Sequence, residues 1–185
     1  MGTMIQAGSD VVSFLKSQHE QIKSQFQRVT TIHGPEREKA FAMLRRLLAV
    51  HETAEEEIVH PVARKTLSNG GAIIDKRLAE ENAAKKALGE LEKLEVDSPD
   101  FDKQIKDLQD AVVAHAEAEE REEFAVLGAN LDASRLARMR KAVEIAEKVA
   151  PTHPHAGVES QAANFLVGPF AAMMDRARDA MAGRH

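Results

Sequence analysis

The sequence predicts an all-α protein, an antiparallel up-down-up-down four-helix bundle with extra C-terminal helices. Three observations lead there. Apolar residues recur at three- and four-residue steps along most of the 185 residues. The interruptions fall at short turn-forming stretches: His33-Gly34-Pro35, Asn69-Gly70-Gly71 and Asp97-Ser98-Pro99. Long helices joined by connections this short favour antiparallel neighbours.

The first helix is expected from near Ser9 to Thr31, capped by Ser9 or Asp10, with Val11, Phe14, Leu15, Ile22, Phe26 and Val29 as its apolar stripe. The second runs from Pro35, a residue favoured in a first helical turn, to Leu67 through Phe41, Leu44, Leu47, Leu48, Ile58 and Val59. Pro61 should kink it or end its regular part. The third spans residues 72–94, facing Ile73, Ile74, Leu78, Ala84, Leu88 and Leu91 inward. The fourth spans residues 99–127, with Phe101, Ile105, Leu108 and Val112 as its stripe. These make a bundle unit over residues 1–130. A C-terminal extension, 131–185, follows, with a fifth helix at 132–149, an extended segment at Pro151-Thr152-His153-Pro154-His155 and an amphipathic helix at 169–182. The extension is expected to pack on the bundle or to join two copies as a homodimer.

Composition removes several function classes. Without cysteine there are no disulfides, zinc–thiolate sites, iron–sulfur clusters or thiol nucleophiles, which fits a reducing cytoplasm. Without Tyr or Trp there is no side chain for an aromatic radical. A net charge of −5 speaks against non-specific nucleic-acid binding. No apolar run approaches the ~18–20 residues that span a bilayer, so no membrane partner is expected. Residues 1–6 lack the features of a signal peptide, and Gln6 stands where a myristoylation motif has Ser or Thr. No glycine-rich phosphate loop appears.

The stripes are broken by ionisable residues. His51 to Glu56 and His115 to Glu120 both read H-x-x-x-E-E. Residues four apart share a helix face, with Cβ atoms about 5–6 Å apart. Leu44, Leu47, Leu48, His51, Glu55 and Ile58 follow one face of the second helix. Ile105, Leu108, Val112, His115 and Glu119 do the same on the fourth. His19 interrupts the stripe of the first helix, and Glu81 falls beside that of the third. Buried carboxylates without partners cost several kcal/mol. Six such groups at one level of a bundle need compensation, and a pair of first-row transition metal ions would supply it.

A lone inward His is usually a hydrogen-bonded core residue, and a lone HxxxE pair usually an exposed one; the joint pattern is what favours a site. Glu52, Glu56, Glu57, Glu117, Glu120, Glu122 and Glu123 read as solvated faces. His51-Glu52 does not begin an HExxH zinc motif, because position 55 is Glu. His60, nine residues after His51, should lie about half a turn out of phase and face away. His33, His153 and His155 read as loop or surface residues.

In these residues the chain resembles the hemerythrin-like, or HHE cation-binding, proteins, four-helix bundles with an oxo- or hydroxo-bridged non-haem diiron centre. The family pattern is His on the first helix, HxxxE on the second, His on the third and HxxxE on the fourth. His19 within Leu15 to Ile22, His51 to Glu56 continuing to His60-Pro61, and His115 to Glu120 match three elements, over about residues 10–130. The tail, with Ala150 to His155 and Gly168-Pro169, looks like that of an actinobacterial branch. The third element departs: Glu81 stands where a His is usual, with Asn82 or Glu80 as alternatives, and Arg77 and Lys85 occupy the places one turn away.

The resemblance implies two iron ions held by His19, His51, Glu55, Glu81, His115 and Glu119. Glu55 and Glu119 would bridge, His19 and His51 would bind one iron, and Glu81 and His115 the other. Three carboxylates and an oxo group would offset most of the charge of a diferric pair and disfavour reversible oxygen carriage. A diiron redox protein acting on hydrogen peroxide, oxygen or nitric oxide, with catalase- or peroxidase-like activity, is the favoured expectation. Lys85 or Arg77 would sit near the rim, steering anions or pairing with Glu81. The alternatives are a non-enzymatic oxygen, nitric oxide or iron sensor or carrier, a zinc or manganese site, and a metal-free helical interaction protein.

Overall fold

The structure is a computed structural model and describes residues 10–149. Helix α1 (Val11–Thr31) starts at Asp10, whose Oδ1 accepts the Ser13 N–H at 2.9 Å. Of the two expected caps, Ser9 lies outside the described residues. The second rod is less regular than expected. It comprises α2 (Pro35–Ala54), a π-helical turn (Glu55–Val59) and α3 (His60–Thr66), joined through residues that all keep right-handed helical angles. The irregularity expected at Pro61 falls just before it.

At the next turn Asn69 takes the left-handed conformation, φ 80°, which Asn tolerates better than most residues. Gly70 follows against the backbone of Arg64: a Cβ there would stand 2.4 Å from the Arg64 carbonyl oxygen. Helix α4 (Gly70–Leu91) begins at this point. The fourth rod starts at Ser98, whose Oγ accepts the Phe101 N–H at 3.2 Å. It comprises α5 (Pro99–Glu119), a second π turn (Glu120–Phe124) and α6 (Ala125–Asn130). Helix α7 (Ala133–Val149) completes the described chain. Among the described residues there is no strand, and no helix is long and apolar enough to cross a membrane.

The four rods pack α1 on α2, α2–α3 on α4, α4 on α5 and α5 on α1, the closed cycle of an up-down-up-down bundle. Two apolar layers form inside it. One contains Ile22, Phe26, Phe41, Leu44, Leu48, Leu88, Phe101, Ile105 and Leu108. There the Phe41 and Phe101 rings meet edge to face at 5.0 Å. The other contains Val11, Leu15, Ala54, Ile58, Ile74, Phe124 and Leu127. Leu136, Met139, Ala142, Val143 and Ala146 of α7 complete this second layer, so the fifth helix shares the bundle's core. The expected helix at 169–182 and the Pro/His segment before it lie outside the described residues, as does any dimer contact they would make.

Between the two layers lies a level of buried His and Glu side chains.

Candidate metal centre

The polar level is built where the two HxxxE segments meet. Where α2 runs into the first π turn, the four-residue step from His51 to Glu55 brings His51 Nε2 to 3.2 Å from Glu55 Oε2. Inside α5, the same step brings His115 Nε2 to 3.3 Å from Glu119 Oε1. His19 enters from α1, its Nε2 3.5 Å from Glu119 Oε2 and 3.9 Å from Glu55 Oε1. Glu81 enters from α4, with Oε1 3.9 Å from His115 Nε2. The six residues expected from the sequence are therefore brought together, five of them buried and His115 partly so. Their nitrogen and oxygen atoms form two compact groups able to hold a metal ion, His19/His51/Glu55/Glu119 and Glu81/His115/Glu119, sharing Glu119.

Each of the three histidines is oriented by its other nitrogen. His19 Nδ1 lies 2.9 Å from Glu120 Oε1, His51 Nδ1 2.9 Å from Gln18 Oε1, and His115 Nδ1 2.9 Å from Glu80 Oε2. A carboxylate or amide oxygen on Nδ1 holds the tautomer that leaves Nε2 free to accept. Gln18 is itself fixed by a bond from its Nε2 to Glu147 Oε1 on α7, at 2.5 Å.

Several residues differ from expectation. His60 does not face away. It is buried, with Nε2 2.7 Å from Glu81 Oε1 and Nδ1 3.1 Å from Glu123 Oε2. The expectation assumed about 100° per residue throughout, which puts nine residues about 180° out of phase. The π turn at 55–59 inserts the equivalent of one residue, and His60 returns to the face of Glu55. Glu52 and Glu123, expected on solvated faces, are both buried. Each continues a stripe at a four-residue step, Leu48 to Glu52 and Glu119 to Glu123, and this was the signal available. Glu120 and Glu56 are only partly exposed: Glu120 holds His19, and Glu56 pairs with Lys85.

Neither expected rim cation pairs with Glu81. Arg77 is fully buried and binds Glu80, Glu122 Oε2 at 2.6 Å and Glu123 Oε1 at 3.4 Å. Lys85 lies between Glu56 and Glu52, 3.8 Å from the latter. His33 is exposed as expected, 3.2 Å from Asp97 Oδ1.

The protons of the polar level are shared unevenly. Burial, with the Glu119 charge beside it, pushes the Glu55 carboxyl well above the ordinary carboxylate range. Glu119 goes the other way: burial opposes its ionisation, but the facing His115 and His19 imidazoles hold it well below that range. Burial raises Glu81 to about 8 against the pull of its His60 bond. It also raises Glu52 to about 7 and lowers His51 to about 3. Burial disfavours the charged His115, yet the facing Glu119 carboxylate raises it to about 9. His60 is likewise raised despite burial, by its bonds to Glu123 and Glu81.

A metal pair fits this arrangement. His19 Nε2, His115 Nε2, both oxygens of Glu55, both of Glu119 and Glu81 Oε2 are buried without a hydrogen-bond partner. Orphaned polar atoms on this scale are costly unless something positive stands among them. Imidazole nitrogen with carboxylate oxygen is a donor set for first-row transition metals. A cavity of about 750 Å³ leads to the cluster. It is lined by His19, His51, Glu52, Glu55, Glu81 and His115, by small residues such as Ala84, Ala87, Ala111 and Val112, and by charged residues such as Lys23, Lys76, Asp107 and Arg121.

Comparison with known proteins agrees with this architecture. A crystal structure of a hemerythrin HHE cation binding domain-containing protein from Mycobacterium kansasii superimposes with a TM-score of 0.66 at 18% identity, covering 91% of this chain and 98% of the other. That likeness is one of fold. A DNA nickase from Nostoc sp. is 23% identical over 137 residues, 71% of this chain but only 38% of the nickase. This chain thus spans well under half of that relative. The model of the hemerythrin HHE cation binding domain matches residues 10–127, from the cap of α1 into α6. The chain belongs to the hemerythrin HHE cation-binding family.

Proposed function

We propose that this chain holds two iron ions and acts as a non-haem diiron redox protein that decomposes hydrogen peroxide. The carrying observation is the pair of candidate ligand groups that share Glu119, with His19 Nε2, His115 Nε2 and the carboxylate oxygens of Glu55 and Glu119 unpartnered among them. His19, His51 and Glu55 would serve one ion, Glu81 and His115 the other, with Glu119 and Glu55 between them. Two irons in contact through carboxylates can exchange two electrons together, the number that separates peroxide from water on one side and from oxygen on the other.

The residues around the ions favour small reactants. Small side chains, Ala84, Ala87, Ala111 and Val112, line the cavity together with charged ones such as Lys23, Lys76, Asp107 and Arg121, and leave room for a small reactant beside the His and Glu cluster. Glu52 lines the same cavity, and its carboxyl, raised to about 7, can hold or release a proton near neutral pH. Glu81 supplies a carboxylate where the family commonly has imidazole, and its negative charge favours the oxidised metal. The net charge of −5 favours such a ligand over nucleic-acid phosphate.

The test is oxygen release from hydrogen peroxide by iron-loaded protein, followed with an oxygen electrode. Turnover that disappears in Glu119→Gln, while folded structure persists by circular dichroism, supports the enzyme. A reversible oxygen-dependent spectrum without turnover would point instead to a sensor or carrier.

A further inference from the structure

The departure at Glu81 leaves the second ion with one imidazole, from His115, where the first has two. His60 stands where it would restore the balance. Its ring is set as the other three are, with Nδ1 on a side-chain oxygen (Glu123 Oε2, 3.1 Å) and Nε2 turned into the carboxylate cluster. That Nε2 is 2.7 Å from Glu81 Oε1 and 3.9 Å from Glu119 Oε1. His115 Nε2 is 3.9 and 3.3 Å from the same two oxygens. With bonds of about 2.1 Å, donors at right angles on one ion lie about 3.0 Å apart and opposed donors about 4.2 Å apart. The four separations fall in or close to that span. His60, Glu119 and Glu123 also form a compact ligand-competent group of their own, and Glu119 Oε1 and Glu81 Oε2 have no hydrogen-bond partner.

We propose that His60 is a protein ligand of the second metal ion, supplying from the second rod the imidazole that the third lacks. Glu123, bound to His60 Nδ1 and to Arg77, is the positioning residue for it. The π turn at 55–59 makes this geometry available, since an uninterrupted α-helix would point His60 away. The fourth rod has its own π turn, and the residue nine positions after His115 is Phe124. Phe124 stacks on His19 at 5.5 Å. Equivalent positions of the two rods thus place a carbon ring beside one ion's ligands and an imidazole beside the other's, so the two ions are not equivalent.

This inference rests on the reading that the cluster holds two metal ions, and the experiment separates the two claims. Purified chain is stripped of metal and titrated anaerobically with Fe(II), with bound metal counted by mass spectrometry and the ultraviolet–visible spectrum recorded after air oxidation. Wild type should take up two equivalents. His60→Phe, which keeps a ring in the core, should keep the first equivalent and bind the second at least about tenfold more weakly. His60→Ala should do the same and regain the second equivalent when imidazole is added. Glu123→Gln, which leaves His60 in place, should weaken the second equivalent alone.

Two tight equivalents and an unchanged spectrum in all three variants would overturn the role of His60 and leave the diiron reading standing. A wild type that takes up no iron would overturn both.

Discussion

Glu55→Leu should make the metal-free protein more stable and at the same time abolish its stabilisation by metal. Glu55 is fully buried, and neither carboxylate oxygen has a hydrogen-bond donor. An unsatisfied buried polar group costs about 1–3 kcal/mol. Leu has similar volume and suits the place next to Ile58 and Ala54. The nearest imidazole, 3.2 Å away, is His51, which burial holds neutral at pH 7, so little charge is left stranded beside it. The gain should be about 1–3 kcal/mol, or about 2–12 °C in Tm for a chain of this size. Wild type should instead gain about 2.7 kcal/mol when metal is present at a hundredfold excess over its Kd, and the variant nothing. Thermal scans of both proteins, with EDTA and with Fe(II) under nitrogen, test this. A variant less stable than wild type in EDTA, or one still stabilised by Fe(II), would refute the reasoning, because Glu55 would then be a structural residue.

Further outcomes follow from the same geometry. The metal-free protein should lose stability as pH rises from about 6.5 to 9, because folded His115 (about 9) and Glu81 (about 8) hold protons that the unfolded chain, at 6.5 and 4.5, has released. His51, at about 3, acts oppositely but only below its ordinary 6.5; urea midpoints across this range check the sign, and metal-loaded protein should show a flatter profile. Arg77→Met leaves the buried Glu123 with His60 as its remaining partner and should cost about 3 kcal/mol in urea unfolding, with part regained in the Arg77→Met/Glu123→Gln double variant. Gly70→Ala should cost about 1–3 kcal/mol, since its Cβ would meet the Arg64 carbonyl at 2.4 Å, whereas Gly71→Ala, with its nearest neighbour at 3.8 Å, should be close to neutral.

The sequence reading reached most of the architecture because stripes, caps and turn residues are local signals. Asp10, Pro35, Asn69-Gly70 and Ser98 mark the observed element starts to within a residue or two. The meeting of His51 with Glu55 and of His115 with Glu119 was legible because each step closes before the register shifts: Glu55 is the first residue of its π turn and Glu119 the last of α5. Beyond those steps the register changes, and nothing local announces it. Pro61 hints at the first π turn, but Glu120–Phe124 forms one without any proline. His60 was misplaced for that reason. Glu52 and Glu123 were lost differently: they follow the stripes, but a run of glutamates reads as a solvated face unless the cation it meets is known. Those cations, Lys85 and Arg77, come from α4, so only the tertiary fold brings them into view.

The most direct test of the account is an anaerobic Fe(II) titration of stripped, untagged protein, counting iron per chain and then admitting air. A sharp end point at two irons, with near-ultraviolet charge-transfer bands appearing on oxidation, is the predicted result. Colourless protein that takes up no iron would contradict the account and leave a helical bundle whose buried carboxylates need another explanation.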